Sequence, residues 1–343
     1  MHLPFMIVRL QPALAAIVLV LGLIGCGGSG EAEVERDPAK AQELFETAQA
    51  FLAEGKTVFA SKELEKAVRA DPELAEAWYQ LGLCYQPLAR GERALECFEN
   101  AAKADAEHAR ARVEAGRMRC RLREFDKGLP LLEQAVALAP EDHVAEYALG
   151  AALLAAGKPA EARPHLERAV DLYPGFSGAW FHLGKTLIEL DEPAKAREVF
   201  ETCLSYRPTH LGALHQIARL EERAGDTEDA ERHRTLHRLL TEIDQLGRRS
   251  VLGAEDELRV AIANALRFDP QNWELHLRLG DWHHEHGDPQ NALQRFEAAR
   301  QLAPERPQPY RRLAEIYQEL GKGGQARAAA ARYQQLYQED PQD

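Results

Sequence analysis

The sequence predicts an all-α solenoid of stacked antiparallel helix pairs, and three observations carry that expectation. First, Pro72, Ala106, Pro140, Pro174 and Pro208 stand 34 residues apart, and the residues before each follow one ladder. Trp78, Leu81, Gly82, Tyr85, Ala94, Phe98 and Ala101 precede Ala106; Trp180, Leu183, Gly184, Leu187, Ala196, Phe200 and Cys203 precede Pro208. Second, the apolar residues of each copy recur at steps of three and four, which collects them on one face of a helix. Third, glycine and proline return at fixed phases, where they mark close approaches and helix stops. One helix pair cannot bury its apolar face alone, so successive copies must stack.

The elements follow in order. The first pair opens near Pro38, with Leu44, Ala48 and Phe51 on its first helix, Gly55 at its turn, and Ala60, Leu64 and Ala67 on its second. Gly82, Gly116, Gly150 and Gly184 recur where the two helices of a pair must come close. Ala94, Ala162 and Ala196 face them from the second helix, with Gly128 in the third copy. A sixth copy has Leu214, Ile217, Ala218, Gly225 and Ala230, but Arg234 stands where a large apolar residue is expected. Residues 231–252 read as a long charged helix ending near Gly247, so the phase breaks around 231–255. That break is either a hinge, a bend or an insertion between two sub-arrays, or a repeat that has drifted. A degenerate seventh unit (Leu258, Ile262, Ala265, Pro270) precedes a clear eighth (Leu279, Gly280, Gly287, Ala292, Phe296, Ala299, Pro304), which departs only at His276. The ninth (Tyr310, Leu313, Ala314, Tyr317, Gly321, Ala326) runs into a polar capping helix, Arg327 to Gln338. The expected divisions are 38–247 for repeats one to six and 248–343 for the rest.

This large–Leu–Gly–Tyr…Ala…Phe…Ala…Pro ladder with its 34-residue period resembles the tetratricopeptide repeat. The resemblance implies a right-handed superhelix of about eight or nine repeats, with first helices lining a concave groove that carries a protein or peptide partner. It implies no catalysis and no cofactor.

The N-terminus carries a second signal. Arg9 is the one charged residue before Glu31, and it precedes an apolar run from Ala13 to Ile24 and then Gly25-Cys26. A basic start, a short apolar run and a small residue before the cut make a secretory signal. Leu23-Ile24-Gly25-Cys26 resembles a bacterial lipobox, which makes residues 1–25 a signal peptide and Cys26 the lipidated first residue. An uncleaved anchor and a plain signal peptide are the alternatives. Residues 26–37 then form the lipidated cysteine and a flexible, acidic linker. Gly27 follows the cysteine rather than Asp, so nothing resembles the inner-membrane retention signal. The expected location is a membrane-anchored lipoprotein, on the outer membrane facing the periplasm in a diderm cell. Export implies oxidising conditions. For Cys84, Cys97, Cys120 and Cys203, buried free thiols and a Cys84–Cys97 disulfide both remain open.

The net charge of −13 argues against general nucleic-acid binding, which needs a basic footprint. Asp281-Trp282-His283-His284-Glu285-His286 lacks the His-Glu-x-x-His spacing of zinc peptidases, which reads as an incidental cluster; metal-dependent hydrolysis there is a remote alternative. His233 and His237 share a helix face without an evident third ligand, and His210 and His215 read as ordinary surface residues. No catalytic residue and no metal site is assigned.

In the repeats the resemblance places inward-pointing residues at the second, fifth, ninth, twelfth and thirteenth positions. Arg110, Arg117 and Arg121 occupy three of these in the third copy, within a run that includes Arg112, Arg119 and Arg123. Tyr79, Tyr147 and Phe181 stand at the fifth position of neighbouring copies, and Lys185, Arg219 and Arg223 continue the basic face. Such a stripe would take an acidic peptide or another anion through bidentate contacts. The competing reading is a solvated helix rich in a good helix former. The sixth position runs Glu46, Gln80, Glu114, Ala148, His182 and Gln216, so the asparagine clamp for chaperone tails is not reproduced. The expected function is a membrane-anchored interaction scaffold of the bacterial envelope, similar to the tetratricopeptide lipoproteins that assist pilus, secretin or outer-membrane assembly. A recruiting or regulatory subunit for a peptidoglycan hydrolase or synthase is the alternative.

Overall fold

The computed structural model describes residues 36–249 and 255–339. The signal segment, Cys26 and nearly all of the linker lie outside the described residues, as do 250–254 within the phase break. Six helix pairs come first: α1 (Pro38–Ala53) with α2 (Thr57–Ala70), α3 (Ala75–Tyr85) with α4 (Gly91–Ala104), and α5 (Ala109–Arg121) with α6 (Phe125–Leu138). Then come α7 (His143–Ala155) with α8 (Pro159–Leu172), α9 (Ser177–Glu189) with α10 (Pro193–Tyr206), and α11 (Leu211–Ala224) with α12 (Thr227–Arg249). The remainder is α13 (Glu255–Phe268), α14 (Trp273–Glu285) with α15 (Pro289–Leu302), and α16 (Pro307–Glu319) with α17 (Gly323–Glu339). No strand occurs among the described residues, and none of their helices is long and apolar enough to cross a membrane.

The repeated ladder has a physical account at each rung. A side chain on Gly184 would place its Cβ 2.5 Å from the Phe200 ring, so the first and second helices touch only because glycine is there. Gly128 replaces the usual alanine because Cys120 Sγ already fills the space its Cβ would take. The large residue at the fourth position does more than fill volume. The Trp78 and Trp180 indoles donate to the carbonyls of Pro72 and Pro174 at 2.9 and 2.7 Å, and the Tyr310 hydroxyl donates to Pro304 at 3.1 Å. His276 does the same to Pro270 at 3.1 Å, so its ring carries the proton on Nε2. The apparent departure at His276 therefore preserves the function of the position: a flat aromatic ring with a donor at its tip.

The phase break is a fusion of two helices, not an insertion, because the segment is shorter than two full repeats. The starts of α11 and α14 are 62 residues apart, six short of two 34-residue periods. Those six residues correspond to the missing turn between two helices, and α12 runs on for 23 residues in one piece. Its middle packs Leu236 and Leu240 in one core with Leu214 of α11, and its last turns add Ile243 and Leu246 beside Ala261, Ile262 and Ala265 of α13. Leu275 and Leu279 of α14 complete that core, which thus runs through the break. Arg234, where an apolar residue was expected, pairs at the surface with Glu222 of α11 and with Glu231.

Several first helices begin with a side-chain cap at one phase. Asp142, His210 and Asn272 accept the backbone N–H of Val144, Ala213 and Leu275 at 2.8, 3.1 and 3.2 Å. The expectation that His210 is an ordinary surface residue is corrected here: it caps α11 and packs on Phe181 at 4.8 Å. An imidazole caps only through an unprotonated Nδ1. Burial, helped by the nearby Arg207 and His182, lowers the His210 pKa, and burial also lowers those of His182 and His276. With folded-state values below the ordinary value of about 6.5, the unfolded chain takes up these protons first. Stability is then full above about pH 6.5 and is lost as pH falls through the folded values. Thermal melts between pH 7.5 and 5.5 should show a falling midpoint, with a shallower fall in His210→Asn, which keeps a cap that does not titrate. Equal slopes in the two proteins would remove His210 from the account.

Candidate functional site

Neighbouring first helices touch one another, α5 with α7 and α7 with α9, which places them on the inside of the curve. The functional question is which of their side chains remain available there.

Helix α5 sorts its arginines by position. Arg112 stands at the fourth position and is buried at 9% exposure. Its guanidinium reaches Gln134 Oε1 at 3.2 Å and the carbonyls of His108 and Ala102 at 3.4 Å. Arg119 stands at the eleventh position, where Tyr85 and Tyr317 donate to Glu65 and Glu297 of the preceding repeats. Arg119 serves the same partner position, binding Glu99 at 2.5 Å, and adds Glu124 at 2.7 Å. Both arginines are structural. Arg110, Arg117 and Arg121 are exposed on the inner face.

These three share the inner face of α5 but line two different clefts. Arg117 and Arg121 line a cleft of about 1010 Å³ between α5 and the turn joining α3 to α4, together with Arg90, Arg93, Met118 and Leu122. Glu114 also lines it, but Arg117 holds that carboxylate at 3.0 Å and Gln86 donates to it at 3.1 Å. Glu92 is the other carboxylate there. Arg110 lies instead in a separate cleft of about 900 Å³ at the starts of α3, α5 and α7. Glu76, Asp105, Glu107, Glu114, Glu141 and Asp142 share that cleft, so its charge is mostly negative. Arg90 and Arg93 were missed by sequence reasoning because they sit on a turn and on a second helix. The signal for them is that this turn abuts the first helix of the next repeat.

Lys185, Arg219 and Arg223 come together in a smaller cleft of about 190 Å³ between α9 and α11, with Ile188, Glu189 and Leu220. Among the described residues, no hydrogen bond or ion pair engages Arg121, Arg219 or Arg223. Tyr79, Tyr147 and Phe181 are half-buried. Tyr79 packs on His108 at 5.0 Å and lines the acidic cleft. Burial, then the Glu114 charge, raises its pKa. Tyr147 sits against Phe176 at 4.6 Å and His182 at 5.3 Å, and Phe181 lies between Phe200 and His210. Their rings therefore serve the repeat-to-repeat packing as well as the inner face.

The histidine candidates are engaged separately. His283 lies 3.3 Å from Asp288, His284 lies 2.7 Å from Glu319, and His286 lies 2.9 Å from Glu255 and stacks on Trp282 at 4.0 Å. His233 binds the buried Glu221 at 2.8 Å. Among the described residues, no group of three or more His, Cys, Asp or Glu is placed to hold a metal ion. Cys84, Cys97, Cys120 and Cys203 are free and buried; burial pushes the Cys97 and Cys203 thiols up to about 12, far from a reactive thiolate.

Three family models described as tetratricopeptide repeat match the chain, at residues 153–202 and 283–342, at 75–108, and at 246–307, which together span more than half of it. Among curated proteins none matches in sequence. Solved structures are similar in fold. PilW, described as a widely conserved type IV pilus biogenesis factor, is 20% identical with a TM-score of 0.51, over 56% of this chain and 90% of that one. PilF of Pseudomonas aeruginosa is 22% identical with a TM-score of 0.50, over 57% and 88%. YrrB, described as a TPR protein with an unusual peptide-binding site, is 26% identical with a TM-score of 0.46, over 51% and 90%.

Proposed function

The chain belongs to the tetratricopeptide repeat family, and from that premise we propose that it is a membrane-anchored scaffold of the bacterial envelope, which holds a partner protein in its concave groove. The observation that carries the groove reading is the cleft holding Arg90, Arg93, Arg117 and Arg121, where cations outnumber the carboxylates. Guanidinium groups in such a setting take carboxylates bidentately, and rigid stacked helices lower the ordering cost of binding. The reading is non-enzymatic: the histidines and thiols that could carry chemistry are committed to packing, caps and ion pairs. The anchor reading rests on Leu23-Ile24-Gly25-Cys26 alone.

Two measurements test it. Metabolic labelling with a fatty acid should mark the wild type and fail on Cys26→Ala; equal labelling removes the anchor. Crosslinked pull-down from native membranes should lose one specific envelope protein in the double variant R117E/R121E, with helical circular dichroism unchanged. An unaltered partner set would move the binding surface away from this cleft.

A further inference from the structure

We propose that the groove recognises an extended protein segment with an acidic pair at each end and an apolar stretch of about five residues between; this rests on the scaffold reading above. Two separate cationic clefts lie on the inner face, one around Arg117 and Arg121 and one around Lys185, Arg219 and Arg223. Between them runs helix α7, whose residues at the ninth, twelfth and thirteenth positions are Ala151, Leu154 and Ala155. The inner face therefore reads basic, apolar, basic.

The spacing sets the length of the segment. The inner-face cations of the first cleft, Arg117 and Arg121, stand on α5 and the second cleft lies between α9 and α11, two to three first-helix steps away. Packed helices lie about 8–10 Å apart, which puts the clefts roughly 20–25 Å from each other. An extended chain rises about 3.3 Å per residue, so roughly six to eight residue steps separate the centres of the two acidic pairs, with about five residues between the pairs.

The same pattern discriminates against a continuous polyanion. A nucleic acid carries charge at every step, but α7 offers it no cation between the clefts, and the protein's net charge of −13 repels it at long range. At the start of α5 the carboxylates around Arg110 repel an acidic end, which leaves the Arg117 and Arg121 cleft for it. Paired carboxylates with apolar residues between match each feature in turn, and forked guanidinium contacts fix the two ends.

Fluorescence anisotropy on the full chain, with labelled nine-residue peptides, tests this. One probe carries two glutamates at each end around five alanine and leucine residues; the other has the same composition with its four glutamates together in the centre. The end-charged probe should bind at least tenfold tighter. R117E/R121E and R219E/R223E should each weaken it about tenfold or more, with the neutral R117Q/R121Q and R219Q/R223Q giving smaller losses in folded protein. K66E on α2 should leave it unchanged. Equal binding of the two probes, loss from one cluster alone, or equal competition by an oligothymidylate would overturn the two-anchor geometry. If both cluster variants still crosslink to the membrane partner, the scaffold reading survives and this inference falls; if the wild type crosslinks to no protein, the scaffold reading itself falls.

Discussion

Phe200→Ala is expected to cost about 3–5 kcal/mol, the range for truncating a fully buried aromatic side chain. Phe200 is 0% exposed on α10 and its ring lies directly against Gly184 of α9. Because the glycine contributes no side chain, its position offers nothing to fill the hole. Phe181 at 6.0 Å leans on the same ring from the inner face, and Cys203 and Ala196 complete the wall. The position tolerates leucine elsewhere, as Leu132 and Leu166 show at the same phase. Phe200→Leu should therefore cost far less than Phe200→Ala. Stability in a stacked array is carried by each repeat and its interfaces. The damage should then appear first as local opening between α9 and α10, with faster amide exchange there than in α1 to α4. Urea denaturation of the two variants gives the magnitudes; equal midpoints for Phe200→Leu and Phe200→Ala would show that the site collapses around the loss.

What the sequence makes legible is what repeats. The helix pairs, the glycine contacts and the structural clusters recur with the period, so one copy explains the others. The arginines of α5 show where this stops. Position alone separates Arg112 and Arg119, which replace a ring and a tyrosine, from Arg117 and Arg121, which face the groove. Charge count alone does not, and it hides the carboxylates that surround Arg110, because Asp105, Glu107, Glu141 and Asp142 come from loops of two different repeats. His276 reads as a lapse in the ladder, since apolar size is visible in a sequence and a donor at the tip of a ring is not. The shift in phase and a long charged helix are visible in the sequence, but recognising that helix as a fusion requires counting six absent residues.

Breaking the corner contact that this fusion creates should loosen α14 and the helices after it from the α10–α11 turn. Thr209, in the turn between α10 and α11, donates its backbone N–H to Glu274 of α14 at 3.0 Å, and its hydroxyl donates to the same carboxylate oxygen. These groups are 65 residues apart in sequence. The Arg306 guanidinium lies 4.4 Å from the centre of the Tyr206 ring, and Tyr206 stacks on Trp180 at 6.4 Å. Burial lowers the Arg306 pKa, which marks a desolvated cation over an aromatic face. A regular stack keeps such distant repeats apart, because each contacts only its neighbours. The fused α12 and its partner α13 instead bring α14 back against the α10–α11 turn. Thr209 is buried and the Glu274 side chain is 19% exposed, so hydrogen bonds to this carboxylate are worth about 1.5–3 kcal/mol each. The cation–π contact adds about 0.5–2 kcal/mol. E274A/R306A removes both sets while leaving the helix cores intact. Its radius of gyration by small-angle scattering should rise, and amide exchange should quicken in the α10–α11 turn and at the start of α14. The groove between α5 and α11 lies before the corner, so binding of an end-charged peptide should stay within about twofold of wild type, an interval under roughly 0.5 kcal/mol. Unchanged scattering and exchange would mean that the apolar core of Leu214, Leu240, Ile262 and Leu275 holds the corner without its polar bolts.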